Sequence, residues 1–155
     1  MLAQGRYWCG LLLALLAVNG CGLLSKSSAP KKTSLSAIQV IAEPGANQNS
    51  ATALDIVFVY DTATVDLLPK SGPTWFENKT RLLSAFPKGI DVVSLQLPPA
   101  LTVAPVALPA RYRDAVRTLA FANYVVDAGQ YPMDLTAFKH AVVRLQPTGI
   151  VFGEK

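Results

Sequence analysis

The sequence predicts a mainly β fold, an antiparallel β-sandwich with one added amphipathic helix. Short runs rich in β-branched and aromatic residues recur from residue 35 onward, and Pro, Gly, Asn and Asp separate them. Residues 74–89 break this pattern and repeat apolar side chains at helical spacing. Short strands separated by turn signals favour a sandwich over a parallel sheet.

The first half of the predicted domain carries three strands, at residues 35–43, 54–61 and 91–97. The second of these, LDIVFVYD, is apolar almost throughout, which is typical of a strand at the centre of a sheet. We expect Asp55 and Asp61 to mark its two ends. The third alternates, so Val93, Leu95 and Leu97 should share one face of a half-buried strand.

The second half carries strands at 100–108 and 117–129 and a terminal hairpin. Pro105 confines the first of these to an edge or splits it, and an Asp-Ala-Gly turn ends the other. In the hairpin (HAVVRLQ, then GIVFGE) Ala141, Val143 and Leu145 should face inward while Arg144 faces outward. Two segments, 110–119 and 133–142, are compatible with either a helical turn or irregular and extended structure.

The one predicted helix covers residues 74–89. Thr74 and Glu77 match a capping box, and Pro87 with Gly89 ends the helix. Its apolar side chains, which should lie against a sheet face or one end of the sandwich, are Trp75, Phe76, Leu82, Leu83 and Phe86.

The N-terminus has the form of a secretory signal peptide. The unbroken apolar run from Cys9 to Val18 is about half of the roughly 20 residues that a membrane-spanning helix needs. Val18-Asn19-Gly20-Cys21 resembles the lipobox of bacterial lipoproteins, in which the chain is cut before the cysteine and the thiol is acylated. The resemblance implies that residues 1–20 are removed and that Cys21 carries a covalent lipid.

Residue 22 is glycine, not the aspartate that retains such lipoproteins at the inner membrane in many enteric bacteria, so the resemblance implies an outer-membrane anchor facing the periplasm. Residues 21–34 then form the lipidated N-terminus and a tether, and residues 35–155 form the β-sandwich domain. Lys26, Lys31 and Lys32 of the tether either contact anionic headgroups or belong to a solvated linker.

Composition argues against several classes of function. The net charge of +4 is small and no basic stripe with interleaved aromatic residues is present, so nucleic acid is not an expected partner. The chain has two cysteines, Cys9 and Cys21, so no disulfide can form in the mature domain. A single histidine, His140, without a G-x-S-x-G motif, supports neither a catalytic triad nor a metal site. We therefore expect neither an enzyme nor a cofactor other than the lipid on Cys21.

The order of these features resembles the outer-membrane lipoproteins of type VI secretion systems, the TssJ family. In that family a first strand leads to an Asn-containing loop, a second apolar strand, and a helix that begins with aromatic residues. Asn47, the strand DIVFVY and the pair Trp75-Phe76 occupy these places here, and TLAFANYVV loosely matches a late strand. The family's Asn-Pro is Asn47-Gln48 in this chain.

The resemblance implies a transthyretin-like sandwich that binds the inner-membrane TssM component and other secretion-complex subunits. The family's binding loop maps to Gly45, Ala46, Asn47, Gln48, Asn49, Ser50, Ala51 and Thr52. Residues 111–113 (Arg-Tyr-Arg) are a possible additional contact surface. The alternative is a periplasmic ligand-binding or chaperone-like lipoprotein with an apolar groove near Trp75 and Phe76. A docking protein should bury those two rings, whereas the alternative needs them exposed.

Overall fold

The structure is a computed structural model that describes residues 30–126 and 130–155. The predicted signal peptide, Cys21, most of the tether and the Asp-Ala-Gly turn at 127–129 lie outside the described residues. Within the described ranges, no helix has both the length and the apolar character needed to cross a membrane.

In this part of the chain, eight strands form two four-stranded sheets. The first sheet has the order β4-β1-β7-β8, with β1 (Ala37–Ala42), β4 (Thr102–Val103), β7 (His140–Leu145) and β8 (Ile150–Glu154). The second has the order β3-β2-β5-β6, with β2 (Thr52–Val59), β3 (Ile90–Leu97), β5 (Arg117–Asn123) and β6 (Met133–Asp134). The sheets face each other across a shared core. The mainly β sandwich is therefore confirmed, as are the central position of β2 and the terminal hairpin.

The sandwich is not wholly antiparallel as predicted. β1 pairs with β7 in parallel, from Ala37 opposite His140 to Ala42 opposite Leu145. Alternating apolar residues indicate which face of a strand is buried, but they carry no information on the direction of a neighbour about 100 residues away. The first sheet is therefore mixed.

Two α-helices and a 3-10 turn accompany the sheets: α1 (Thr62–Asp66), α2 (Gly72–Ala85) and the 3-10 turn Tyr112–Asp114. The amphipathic helix is confirmed as α2, but the predicted capping box is wrong. Ser71 is the N-cap, and its Oγ accepts a hydrogen bond from the Thr74 backbone N–H at 3.4 Å. Pro73 fits the first turn because its missing N–H would have no partner there. Helix α1 was not predicted; Asp61, at the end of β2, caps it.

The core has two layers. The inner layer lies between the sheets, and its largest side chains include Ile38, Val40, Leu54, Ile56, Phe58 and Leu145. The outer layer lies between the second sheet and α2, and includes Val57, Val59, Leu68, Trp75, Leu82 and Phe121. Because β2 is covered on both faces, its sequence is apolar almost throughout.

The chain enters the sandwich at one end and forms the predicted binding loop at the other. Thr33 N–H donates to Ala115 O and Ser34 N–H to Thr136 O, each at 2.8 Å, at the end where β1 begins. We call this the tether end; it comprises residues 30–36, 60–61, 88–91, 111–117 and 134–140. The opposite end, where β1 finishes, comprises residues 43–51, 98–101, 124–126 and 146–149, and we call it the loop end. Strand β1 connects the two.

Candidate partner-binding surface

The predicted loop contains a left-handed turn. Gly45, Asn47, Gln48 and Asn49 all have positive φ, at 80°, 49°, 55° and 62°. This region of backbone space favours Gly and Asn and disfavours other residues. Proline has φ fixed near −65° and cannot occupy position 48 in this conformation. The observed turn therefore excludes at position 48 the proline that the family has there.

The buried side chain of Asn47 stabilises the turn. Its side chain is 2% exposed; Oδ1 accepts from Val125 N–H at 2.7 Å and Nδ2 donates to Ala51 O at 3.3 Å. The backbone N–H groups of Asn47 and Gln48 donate to Gln146 O and Pro147 O, both at 3.1 Å. The side-chain amide of Asn47 thus connects its own loop to that of Val125, and the backbone of residues 47 and 48 connects it to a third loop.

Tyr124 joins the loop at 124–126 to the loop at 146–149. Its hydroxyl lies 3.0 Å from Gln146 O and 2.8 Å from Gly149 O. Burial raises the pKa of Tyr124 to about 12, so the phenol remains a neutral donor at any physiological pH. Gln130 bonds both the N–H and the O of Tyr124, and also Val126 O. The loop end is therefore a fixed surface, not a set of independent loops.

The eight predicted contact residues are not equally available. Ala46, Asn47 and Thr52 are buried, so their side chains cannot touch a partner. Gly45 and Ser50 are half-buried, and Gln48, Asn49 and Ala51 are exposed. Contact through this loop remains a prediction, and the structure limits it to the exposed members.

A residue that sequence reasoning missed lies beside them. Val125 is 60% exposed, and its N–H is the group that Asn47 binds. The sequence predicts that Val125 lies within the long strand at 117–129. In the structure β5 ends at Asn123, and no local sequence pattern marks where the strand pairing stops. Among the described loop-end residues the one side chain charged at neutral pH is Glu43, which is half-buried. The exposed surface here is thus polar or apolar but uncharged.

Asp55 does not mark a strand end as predicted. It is the fourth residue of β2 and is 1% exposed. Its Oδ2 accepts from Trp75 Nε1 at 2.8 Å and lies 2.8 Å from Lys79 Nζ. A buried carboxylate persists only when it is paired and hydrogen-bonded, and both partners come from α2. The reason for the error is that these partners are 20 or more residues away in the sequence.

Trp75 is fully buried and stacks on Phe121, with ring centroids 4.9 Å apart. Phe76 is half-buried against the same outer layer of the core. Trp75 is therefore unavailable to line the exposed apolar groove that the ligand-binding alternative requires. Burial of Trp75 is the outcome expected for the docking hypothesis.

Arg111 belongs to a cluster at the tether end. Its guanidinium bonds both oxygens of Asp91, at 2.9 and 3.1 Å, and lies 3.7 Å from the centre of the Tyr60 ring. Tyr60 O–H also donates to Asp91, at 2.6 Å. The structure therefore does not bring residues 111–113 together with the predicted binding loop. They lie at opposite ends of the sandwich.

This cluster predicts a dependence of stability on pH. The two hydrogen bonds from Arg111 hold the pKa of Asp91 below its usual range, and that from Tyr60 also lowers it. Because the folded pKa is depressed, the stabilisation is present above the unfolded pKa of about 3.9 and is lost as pH falls further. We expect Asp91→Asn to destabilise the domain at neutral pH and to differ less from the wild type near pH 2–3.

Urea denaturation at several pH values measures this, with Glu77→Gln on the exposed side of α2 as the control. If the free energies of unfolding of the wild type and Asp91→Asn differ by the same amount down to pH 2, the ionised Asp91 carboxylate is not the source of the stabilisation.

The described residues offer no group of three His, Cys, Asp or Glu side chains that could hold a metal. His140 lies half-exposed at the tether end, 3.9 Å from Glu154. An open depression of about 270 Å³ lies next to it, and several of its lining residues have small side chains, including Ala37, Ala104 and Pro105. Nothing in this geometry pairs a nucleophile with a base.

No family model and no curated protein sequence matches this chain. Its fold is that of a type VI secretion lipoprotein. The type VI secretion lipoprotein TssJ1 from Pseudomonas aeruginosa matches with a TM-score of 0.59 at 14% identity, over 82% of this chain and 98% of that one. Lip from Serratia marcescens, a membrane-bound component of the type VI secretion system, matches with a TM-score of 0.52 at 12% identity, over 77% of this chain and 96% of that one.

A chain of the structure described as the type VI secretion protein TssM C-terminal domain from EAEC also matches. Its TM-score is 0.55 at 14% identity, over 75% of this chain and 98% of that one. The predicted TssJ-like sandwich is thus confirmed at the level of fold. TssJ1 is described as a lipoprotein and Lip as a membrane-bound component, and both belong to type VI secretion systems.

Proposed function

We propose that this protein is an outer-membrane-anchored periplasmic lipoprotein that docks the membrane complex of a type VI secretion system by binding the inner-membrane TssM component. The observation that carries the proposal is a TssJ-like sandwich in which the tether and a rigid, uncharged loop surface occupy opposite ends. Other subunits of the secretion complex would assemble around this contact.

The anchor is the lipid on Cys21. Stable membrane attachment requires two hydrophobic signals, and a diacylated cysteine supplies them. Nine peptide links separate Cys21 from Pro30, the first described residue, so the domain stays within about 30 Å of its anchor. Such a short tether confines the domain to the part of the periplasm next to the outer membrane.

The loop end suits a contact with a neutral protein surface. Asn47 and Tyr124 fix the turn before a partner arrives, so little conformational entropy is lost on binding. Gln48 and Asn49 present amides that can donate and accept hydrogen bonds, and Val125 beside them offers apolar area. A complex through these groups needs no ion pairs.

The test removes the two exposed amides without changing the turn. We expect a chain with Gln48→Gly and Asn49→Gly to bind the periplasmic domain of the TssM-like subunit from the same cell at least about tenfold more weakly, the loss of one or two good hydrogen bonds. Glycine adopts positive φ without strain, so the backbone should keep its conformation. Titration calorimetry of the purified proteins measures the affinity.

The matched control is Thr80→Ala with Ser84→Ala, two exposed polar residues on α2. This variant should bind as the wild type does. Unchanged affinity in a folded Gln48→Gly, Asn49→Gly protein would remove the loop end from the proposed contact.

A further inference from the structure

Charge is concentrated at the tether end of the domain. The described residues of the loop end contain one side chain that is charged at neutral pH, Glu43, whereas the tether end has many. Its exposed cationic side chains are Lys31, Lys32, Lys88, Arg113 and Lys139. The side of the sandwich where the chain enters is therefore distinct in its electrostatics from the side where the predicted partner binds.

The carboxylates at this end are already occupied. Asp114 pairs with Lys32, Asp91 with Arg111 and Asp134 with Arg117. Asp61 accepts hydrogen bonds from Thr64. Glu154 of β8, which lies next to this end, accepts from the backbone N–H groups of residues 139 and 140.

The cations at the tether end outnumber these acids. Within the described ranges Lys31, Lys88, Arg113 and Lys139 make no ion pair. The tether end thus carries an uncompensated positive charge.

The cationic surface is concave where the tether enters. A cleft of about 450 Å³ lies between residues 31–32, the start of β5 and the connection from β6 to β7. Lys31, Lys32 and Arg117 line it together with Thr136, Phe138 and one carboxylate, Asp134, which is paired with Arg117. The cleft is large enough to accept a polar headgroup.

The tether keeps this surface near the membrane. Residues 22–29 are mostly small and polar, and a linker of nine residues with such a composition is expected to have a root-mean-square end-to-end distance of about 15–18 Å. That distance is about two Debye lengths at physiological ionic strength, so a short approach brings the lysines into the field of an anionic leaflet. Each Lys or Arg near such a surface increases affinity several-fold.

We propose that the tether end binds the anionic phospholipid headgroups of the leaflet in which the lipid of Cys21 is inserted. The domain then lies with its tether end on the membrane and its loop end pointing into the periplasm, where a partner from the inner membrane can reach it. This orientation rests on the proposed anchoring of the protein, but the headgroup contact itself requires no acyl chain.

The experiment measures that contact without the anchor. The protein is exported behind a conventional signal peptide in place of residues 1–20 and carries Cys21→Ser, and it is mixed with vesicles of phosphatidylcholine, with or without phosphatidylglycerol. We expect binding to the anionic vesicles, at least about tenfold stronger than to neutral ones. Raising the salt concentration to about 1 M should abolish it, because the Debye length falls to about 3 Å.

Two variants of equal net charge locate the contact. Lys31→Glu, Lys88→Glu and Lys139→Glu reverse three charges at the tether end and should lower binding to anionic vesicles at least about tenfold. The control, Lys70→Glu, Arg81→Glu and Arg144→Glu, reverses three exposed charges that lie outside that end and should bind nearly as the wild type does.

Equal losses in the two variants would mean that only net charge matters and would overturn the proposal, as would equal binding to neutral vesicles. Because the protein in this assay carries no lipid and no partner, failure here leaves the TssM-binding measurement intact. Conversely, loss of the TssM contact would leave the vesicle result unchanged. The two hypotheses therefore fail independently.

Discussion

Replacing Asp55 by alanine is expected to lower the free energy of unfolding by about 3–5 kcal/mol, the cost of breaking a buried ion pair by removing one partner. The Asp55 carboxylate is the acceptor for Trp75 Nε1 and the counter-ion of Lys79, and all three groups lie between the second sheet and α2. Alanine would leave a buried indole N–H without an acceptor and an ammonium without its carboxylate. Urea denaturation at neutral pH measures the change.

Two further variants separate the contributions. Asp55→Asn keeps an oxygen that can accept from Trp75 but removes the charge, so we expect it to cost less than alanine does. Adding Lys79→Met to Asp55→Asn removes the unpaired ammonium and should restore part of the lost stability. Replacing both members of a buried ion pair by uncharged residues often changes the free energy of unfolding little. A loss below about 1 kcal/mol for Asp55→Ala, the level of a surface pair, would show that this cluster does not hold α2 on the sheet.

Replacing Cys21 by serine, behind a conventional signal peptide, is expected to move the protein from the membrane pellet to the soluble periplasmic fraction. Without acyl chains, the attachment that remains is the ionic contact proposed for the tether end, and a wash in about 1 M salt screens it. Quantitative immunoblotting of washed membranes measures the fraction retained. We expect nearly all of the wild type and almost none of the serine variant.

Asn19→Ala provides the matched control. It makes the sequence before Cys21 more similar to the commoner lipobox, so this variant should stay in the washed pellet and be processed at least as efficiently. Persistence of the serine variant in the outer-membrane fraction after the salt wash would contradict lipid anchoring through Cys21.

The parts of the fold that the sequence predicts are those in which burial follows a local pattern. Strand β2 reads as a continuous apolar run because both of its faces are covered, and β3 alternates because it is an edge strand covered mainly on one side. Helix α2 shows its period because one face contacts the second sheet. By contrast, α1 has only five residues, which is too short for any periodicity to emerge.

The features that could not be predicted depend on partners far away in the sequence. The parallel pairing of β1 with β7 joins segments about 100 residues apart. Asp55 looked like a residue at a strand end because the groups that compensate its burial belong to α2.

The candidate site was likewise predictable from the sequence only in part. Its position was predictable from the resemblance, because the loop follows the first strand. The availability of its residues was not, since Asn47 is buried by a hydrogen bond to Val125 and the turn rests on Gln146 and Pro147.

The position of β1 has a mechanical consequence. The tether joins its first residue and the turn at 46–49 follows its last, so the membrane anchor and the proposed docking loop flank one six-residue strand. Tension between the two membranes would therefore run along the covalent backbone of β1, roughly at right angles to the hydrogen bonds that connect this strand to its neighbours. If the partner binds at this turn as proposed, such a load would pass mainly through β1, and the rest of the sandwich would not have to resist unfolding.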